Sequence, residues 1–167
     1  IGDVTVEDTL RMIRTLVVQR GCKIIVLDHT TYLTDGVENQ NQAAQTLMKG
    51  LKDIMHRHKV SIFYITHLRK SKSSSDTHEE GARVKLDDFA GGKAVVQYAT
   101  AVIGLERDMH NEDEEVAEIT KMRLLKRRGM GVKPGESVID MKFSLDCNKL
   151  YPADCIAPVN SFKDIPF

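Results

Sequence analysis

Two apolar runs, each ending on polar residues, constrain this chain more than any other feature. Ile24-Ile25-Val26-Leu27 ends on Asp28-His29, and Val60-Ser61-Ile62-Phe63-Tyr64-Ile65 ends on Thr66-His67. Apolar residues at successive rather than alternate positions indicate strands buried on both faces, as in a parallel sheet. Parallel neighbours cannot be joined by a tight turn and need a crossover of a dozen or more residues. The intervening segment supplies one. From Gln40 to His58, Ala44, Leu47, Leu51, Ile54 and Met55 recur at helical spacing. A strand–helix–strand unit of this kind brings both polar endings to the carboxyl edge, where open α/β sheets bind ligands.

The flanking sequence extends this unit. Val6, Leu10, Ile13 and Val17 form a helical stripe up to Arg20, and Gly21 stands where a C-terminal glycine stop belongs. Residues 91–98 predict a short helix and Ala101–Arg107 a third strand. An acidic break follows from Asn111 to Glu115, then a long strand over Val116–Leu125. A turn with Gly129, Gly131, Pro134 and Gly135 leads to a hairpin partner over Ser137–Leu145. The expected class is α/β: a mostly parallel sheet flanked by helices, with antiparallel strands appended on the C-terminal side. Arg69–Lys85 is polar and serine-rich with no apolar period, which predicts a long mobile loop. Residues 1–151 are expected to form the body. Residues 152–167, with Pro152, Pro158 and Pro166, are expected to form an extended tail.

Composition narrows the function classes. A 41% hydrophobic content across 167 residues suits one compact domain with a real core. No run approaches the roughly 18 apolar residues of a spanning helix, and the first residues lack a signal-peptide pattern, so no membrane role is expected. Cys22, Cys147 and Cys155 are far apart, which argues against a disulfide framework and for a reducing cytoplasm. The 24 basic and 24 acidic side chains exclude a globally basic nucleic-acid binder, though not a local basic loop. Ile1 is not an initiator residue, so the chain is expected to be cut from something longer.

Among candidate site residues, Asp28 has two readings. At the end of a buried parallel strand it can hold a Mg²⁺ ion on nucleotide phosphates, or it can cap the following turn. A phosphate-cradling loop would decide, and none occurs. Gly92-Lys93-Ala94 has Ala94 where Ser or Thr is required and Asp87 where the first Gly belongs. Any such loop is expected upstream of Ile1. His67 ends the neighbouring strand, where a polar group can contact a γ-phosphate. His56 and His58 are two apart on a helix and diverge, which makes a poor metal site. Arg69, Lys70, Lys72, Arg83 and Lys85 make the loop basic, fit either for a phosphodiester backbone or for solvent. Lys126-Arg127-Arg128 precedes a glycine turn without nearby acids, which fits delivery to an anion or protection of a strand edge.

In combination and order, these segments resemble the RecA-like motor domain of replicative DNA helicases in the DnaB superfamily, in particular its phage primase–helicase branch. The resemblance runs from about Ile24 to Tyr151. It is carried by Ile24–His29, Ile65-Thr66-His67-Leu68, His78-Glu79-Glu80-Gly81, Val102–Arg107 and Leu124-Leu125-Lys126-Arg127-Arg128. It implies that Asp28 is the Mg²⁺-associated acid, reached through nucleotide or water, and that His67 senses the γ-phosphate. Gln97 would lie between the nucleotide and the DNA loops. Lys126 and Arg128 would reach across a subunit boundary as the arginine finger. The Arg69–Lys85 loop, with Lys93, would contact single-stranded DNA in a homo-oligomeric, hexameric ring. ATP or another nucleoside triphosphate with Mg²⁺ would be the cofactor set.

Three departures from the family pattern stand out. The phosphate-cradling loop and the water-activating glutamate are not among these residues. Ala90 replaces an arginine before the glycine pair. Lys93 replaces a small residue after it. The ending Asp164-Ile165-Pro166-Phe167 is similar to the acidic-hydrophobic tip of bacterial single-stranded-DNA-binding proteins, and implies a replication-protein partner. The resulting reading is part of an ATP-dependent helicase, a phage protein working in the bacterial host cytoplasm. Two alternatives remain at this level: a recombinase-type RecA-like ATPase, and a non-catalytic interaction module derived from one.

Overall fold

The computed structural model describes residues 4–28, 39–69, 77–78, 80–90, 92–129 and 137–156. The order is α1 (Val6–Arg20), β1 (Ile24–Leu27), α2 (Gln40–His58), β2 (Ser61–Tyr64), a 3-10 turn (Leu86–Asp88), α3 (Gly92–Tyr98), β3 (Ala101–Glu106), α4 (Glu114–Ala117), β4 (Thr120–Arg127), β5 (Val138–Ser144) and β6 (Lys149–Pro152). Two compact units emerge. One comprises Ile1–Arg69 with Asp87–Ala99, and the other Lys70–Leu86 with Thr100–Phe167.

In the first unit, local chemistry sets the helix ends. The Thr5 hydroxyl oxygen accepts the Asp8 N–H at 3.1 Å, satisfying an orphan donor at the start of α1. Gly21 closes that helix with φ 69°, and its N–H donates to the Leu16 carbonyl. Asn39 caps α2 by accepting the Gln42 N–H at 3.1 Å. The β1 and β2 strands pair in parallel, Ile24 with Ser61 through Leu27 with Tyr64, with α2 as the crossover. Ile25 enters a core with Leu10, Ile13 and Val17 of α1 and Leu47, Leu51 and Ile54 of α2.

The opposite face of the strand pair carries Ile24, Val26 and Phe63, between 58% and 65% exposed. The continuous apolarity that predicts two covered faces therefore meets a cover on one face among the described residues. The two helices that do the covering both belong to the same side of the core.

The second unit is a four-stranded antiparallel sheet, ordered β3-β4-β5-β6. The expected third strand belongs here: Ala101–Glu106 runs antiparallel to β4, from Ala101 opposite Arg127 to Glu106 opposite Lys121. The α/β class holds, with a parallel pair among helices and a separate antiparallel sheet. The antiparallel share among the described residues is larger than expected. The strand expected from Val116 starts at Thr120, because Asp113 accepts the Glu115 N–H at 2.9 Å and turns the acidic stretch into α4. The sequence reading missed β6, which pairs Met141 with Pro152 and so extends the sheet one residue beyond Tyr151. The glycine turn at 130–136 and the tail at 157–167 lie outside the described residues.

Burial along α1 yields a paired test. Ile13 is 0% and Met12 54% exposed. Ile13→Ala is expected to cost about 2–5 kcal/mol in denaturant unfolding, and Met12→Ala within about 0.5 kcal/mol of neutral.

Candidate functional site

The parallel register places Asp28 and the end of β2 at one edge. Leu27 lies opposite Tyr64, and the Ile65 N–H donates to the Leu27 carbonyl at 2.9 Å. Asp28 follows Leu27 directly and is exposed, and His67, also exposed, lies three residues past Tyr64. The chain leaving β2 is strapped to the segment that enters α3. The His67 carbonyl accepts the Ala90 N–H at 3.0 Å, Leu68 bridges Phe89 antiparallel, and the Arg69 N–H donates to the Asp88 carbonyl at 2.6 Å. Phe89, 6% exposed, anchors the strap by burial.

Beyond the strap, Lys93 and Gln97 stand one turn apart on the exposed side of α3, while Ala94 and Val95 are buried. The Lys52 ammonium lies 5.8 Å from the Tyr98 ring centroid, joining α2 to the end of α3. Asp28, His67, Arg69, Lys93 and Gln97 thus all belong to the first unit. Its carboxyl edge offers a carboxylate, an imidazole and an ammonium, which together suit a metal-associated phosphate.

The remaining described candidates belong to the second unit. The β3–β4 register shifts between Val102 and Ile103, leaving Leu125 as the extra residue of a bulge just before Lys126. Bulges of this kind re-aim the side chains that follow. The Arg128 N–H donates to the Thr100 carbonyl at 2.8 Å and ends the ladder, leaving its side chain exposed. Burial pushes the Lys126 ammonium below its usual pKa, and the neighbouring Arg128 charge pushes it further down. Crowded cations of this kind gain from an arriving anion.

Arg83 and Lys85 are exposed on either side of Val84, which is 1% exposed. This corrects the expectation of a loop without apolar anchoring: its return limb is pinned. Val84 fits against Gly104, where an added Cβ would come within 3.0 Å of Val84 Cγ1 and 3.2 Å of Leu125 Cδ1. Lys70 and Lys72, expected on the same loop, lie outside the described residues, as does His29.

The structure adds a cluster that sequence reasoning missed. Glu106, with a side chain 3% exposed, receives Arg123 Nε at 2.7 Å and Arg123 Nη2 at 2.8 Å, one on each carboxylate oxygen. The Val84 N–H donates to the same Oε1 at 2.9 Å. A signal was available: Val102, Gly104 and Glu106 alternate onto the buried face of β3, so the glutamate needs a partner. Burial raises the Glu106 pKa, but the Arg123 and Val84 hydrogen bonds and the nearby positive charges outweigh it, and the net direction is down. A carboxylate with a depressed folded pKa stabilises above its unfolded pKa and loses that contribution as pH falls through the folded value. Glu106→Ala is therefore expected to cost about 3–5 kcal/mol at neutral pH. The gap to the unmodified protein should narrow in acid, as measured by urea unfolding across pH.

No family model matches the chain. Over 113 residues, 66% of its length, it is 33% identical to the DNA helicase/primase of Enterobacteria phage T3, and it spans 19% of that protein. Among solved structures it superposes on the ATPase domain of a DnaB-like helicase with a TM-score of 0.62 and 17% identity, covering 83% of this chain and 48% of that one. The KaiC-like protein PH0186 of Pyrococcus horikoshii OT3 gives a TM-score of 0.57 and 16% identity, with coverage of 88% and 57%. The expected resemblance is supported from both directions, by a phage helicase/primase in sequence and by RecA-like ATPases in structure. The chain has the RecA-like ATPase fold.

Proposed function

We propose that this chain is part of the motor of an ATP-dependent replicative DNA helicase, its residues 1–151 forming the C-terminal portion of the motor domain. The observation that carries the reading is the carboxyl edge of β1–β2, where Asp28 and His67 share one rim and the chain after His67 is strapped to the approach to α3. The similarity to the phage T3 helicase/primase supports the choice of helicase among RecA-like ATPases. A phosphate-cradling loop is absent from the sequence, so in this reading it comes from chain outside these 167 residues.

In phosphoryl transfer the protein supplies positioning and positive charge rather than covalent chemistry. Asp28 suits the acid beside a Mg²⁺ ion on nucleotide phosphates. Among the described residues no group of three His, Cys, Asp or Glu gathers at one point, so Asp28 would hold the ion together with phosphate oxygens and water. His67 faces the γ-phosphate, and any shift there passes through its backbone bond to Ala90 towards Lys93 and Gln97. Lys126 and Arg128 bring charge to the nucleotide of a neighbouring subunit in a hexameric ring. Single-stranded DNA runs along Arg69, Lys70, Lys72, Arg83, Lys85 and Lys93.

The reading is tested in the whole protein that carries this chain. Arg128→Ala is expected to lower kcat for ATP hydrolysis by roughly 10³–10⁵. Mixing Arg128→Ala subunits with Asp28→Ala subunits should restore part of the activity, because some interfaces then carry both intact groups. Mixed rings of verified assembly that stay inactive would contradict a site shared between subunits.

A further inference from the structure

The return limb of the basic loop is held at two points on the end of β3. Glu80 bridges Asp108 antiparallel, and Gly81, at φ +77°, lies so close that an added Cβ would sit 2.8 Å from the Asp108 Cβ. Three residues later the Val84 N–H reaches Glu106 Oε1 while the Val84 side chain fills the space left by Gly104. Between and beyond these points the limb alternates, with Arg83 exposed, Val84 buried and Lys85 exposed. A residue held by its backbone N–H and its side chain at once fixes the direction of both neighbours.

The charge at this anchor is more than sheet stability requires. A leucine or methionine pair would fill the same volume without desolvating a carboxylate and a guanidinium, and such replacements are often neutral or stabilising. What an apolar pair cannot do is accept the Val84 N–H. Arg123 occupies both carboxylate oxygens and holds the acceptor in place. Arg123 also sits on β4, three residues before Lys126, so the strand that carries the cations at its end carries the anchor as well.

We propose that Glu106 is a positioning residue for nucleic-acid contact: oriented by Arg123, it fixes the Val84 backbone so that Arg83 and Lys85 face a phosphodiester backbone. The proposal rests on the helicase reading and adds to it the group that sets the aim of two DNA-facing cations. Contact of this kind is with phosphates and is blind to sequence.

The test uses the whole protein carrying this chain, a fluorescein-labelled oligothymidylate, and the slope of log K against log salt. Glu106→Met/Arg123→Met should keep the unfolding midpoint. It should also accelerate amide exchange at Val84 by about tenfold or more and flatten the slope by up to about 1.4, roughly 0.7 for each lost phosphate contact. Arg83→Ala/Lys85→Ala should flatten the slope equally, and combining the two pairs should add nothing. Glu106→Gln, which keeps an acceptor for Val84, should hold the unmodified slope. If the methionine pair does not fold, Val84→Pro, which removes the donor and leaves the ion pair, should flatten the slope in its place.

A slope unchanged by the methionine pair, or further flattened in full by Arg83→Ala/Lys85→Ala on top of it, overturns the positioning role. Val84 exchange that does not change overturns the anchor itself. A slope unmoved by Arg83→Ala/Lys85→Ala, with Val84 exchange accelerated, overturns instead the nucleic-acid reading on which the proposal rests.

Discussion

Parallel pairing of β1 with β2 is the constraint from which the site follows. Antiparallel neighbours would send their ends to opposite edges, and Asp28 and His67 would never meet the same ligand. Parallel pairing demands a crossover, and α2 provides it with an apolar stripe that also closes the core over Ile25. The register fixes the rest: Leu27 lies opposite Tyr64, so the two polar endings leave the sheet at the same level. The hydrogen bonds from Ala90 to His67 and from Arg69 to Asp88 then tie the chain after β2 to the approach to α3. A change at His67 reaches Lys93 through a few bonds of backbone rather than through a loose loop.

The second unit solves a different problem. Its antiparallel sheet presents cations at the end of β4 and on the limb beside β3, and cations crowd one another. Lys126 records that cost in its depressed pKa. Deeper in the sheet the Glu106–Arg123 pair is internally satisfied, with both carboxylate oxygens occupied and a backbone donor added. Buried charge is tolerable when every acceptor is used. The bulge at Leu125 separates these two environments along a single strand, so that Arg123 is held within the sheet and Arg128 reaches its end, exposed.

Much of the first unit was legible because its signals are local. The stripe from Val6 to Val17 with its Gly21 stop, the α2 period and the two apolar runs all report residue spacing, and the elements appear where the spacing puts them. The partner of β3 was not legible, since strand pairing depends on contacts distant in sequence. The β6 strand was hidden by its four residues and its terminal proline, which Pro152 satisfies by standing at the strand's end. Arg123 and Glu106 read as ordinary surface charges until β3 is paired with β4, when alternation places the glutamate inside. The loop looked free because Val84 is a lone apolar residue among polar ones, and one residue makes no period. The candidate residues Asp28 and His67 were legible as strand endings. The strap between His67 and Ala90 involves only backbone atoms, which the identities of side chains do not announce.

The central claim is that the β1–β2 edge senses nucleotide and passes its state through the strap. Amide hydrogen exchange at Ala90 and Arg69, in the whole protein carrying this chain, measures the strap directly. With Mg²⁺ and a non-hydrolysable ATP analogue, both amides should exchange more slowly than with ADP, and His67→Ala should abolish the difference while the amides of α1 stay unchanged. Exchange at Ala90 and Arg69 that is the same with either nucleotide, under conditions where both are bound, would contradict the account.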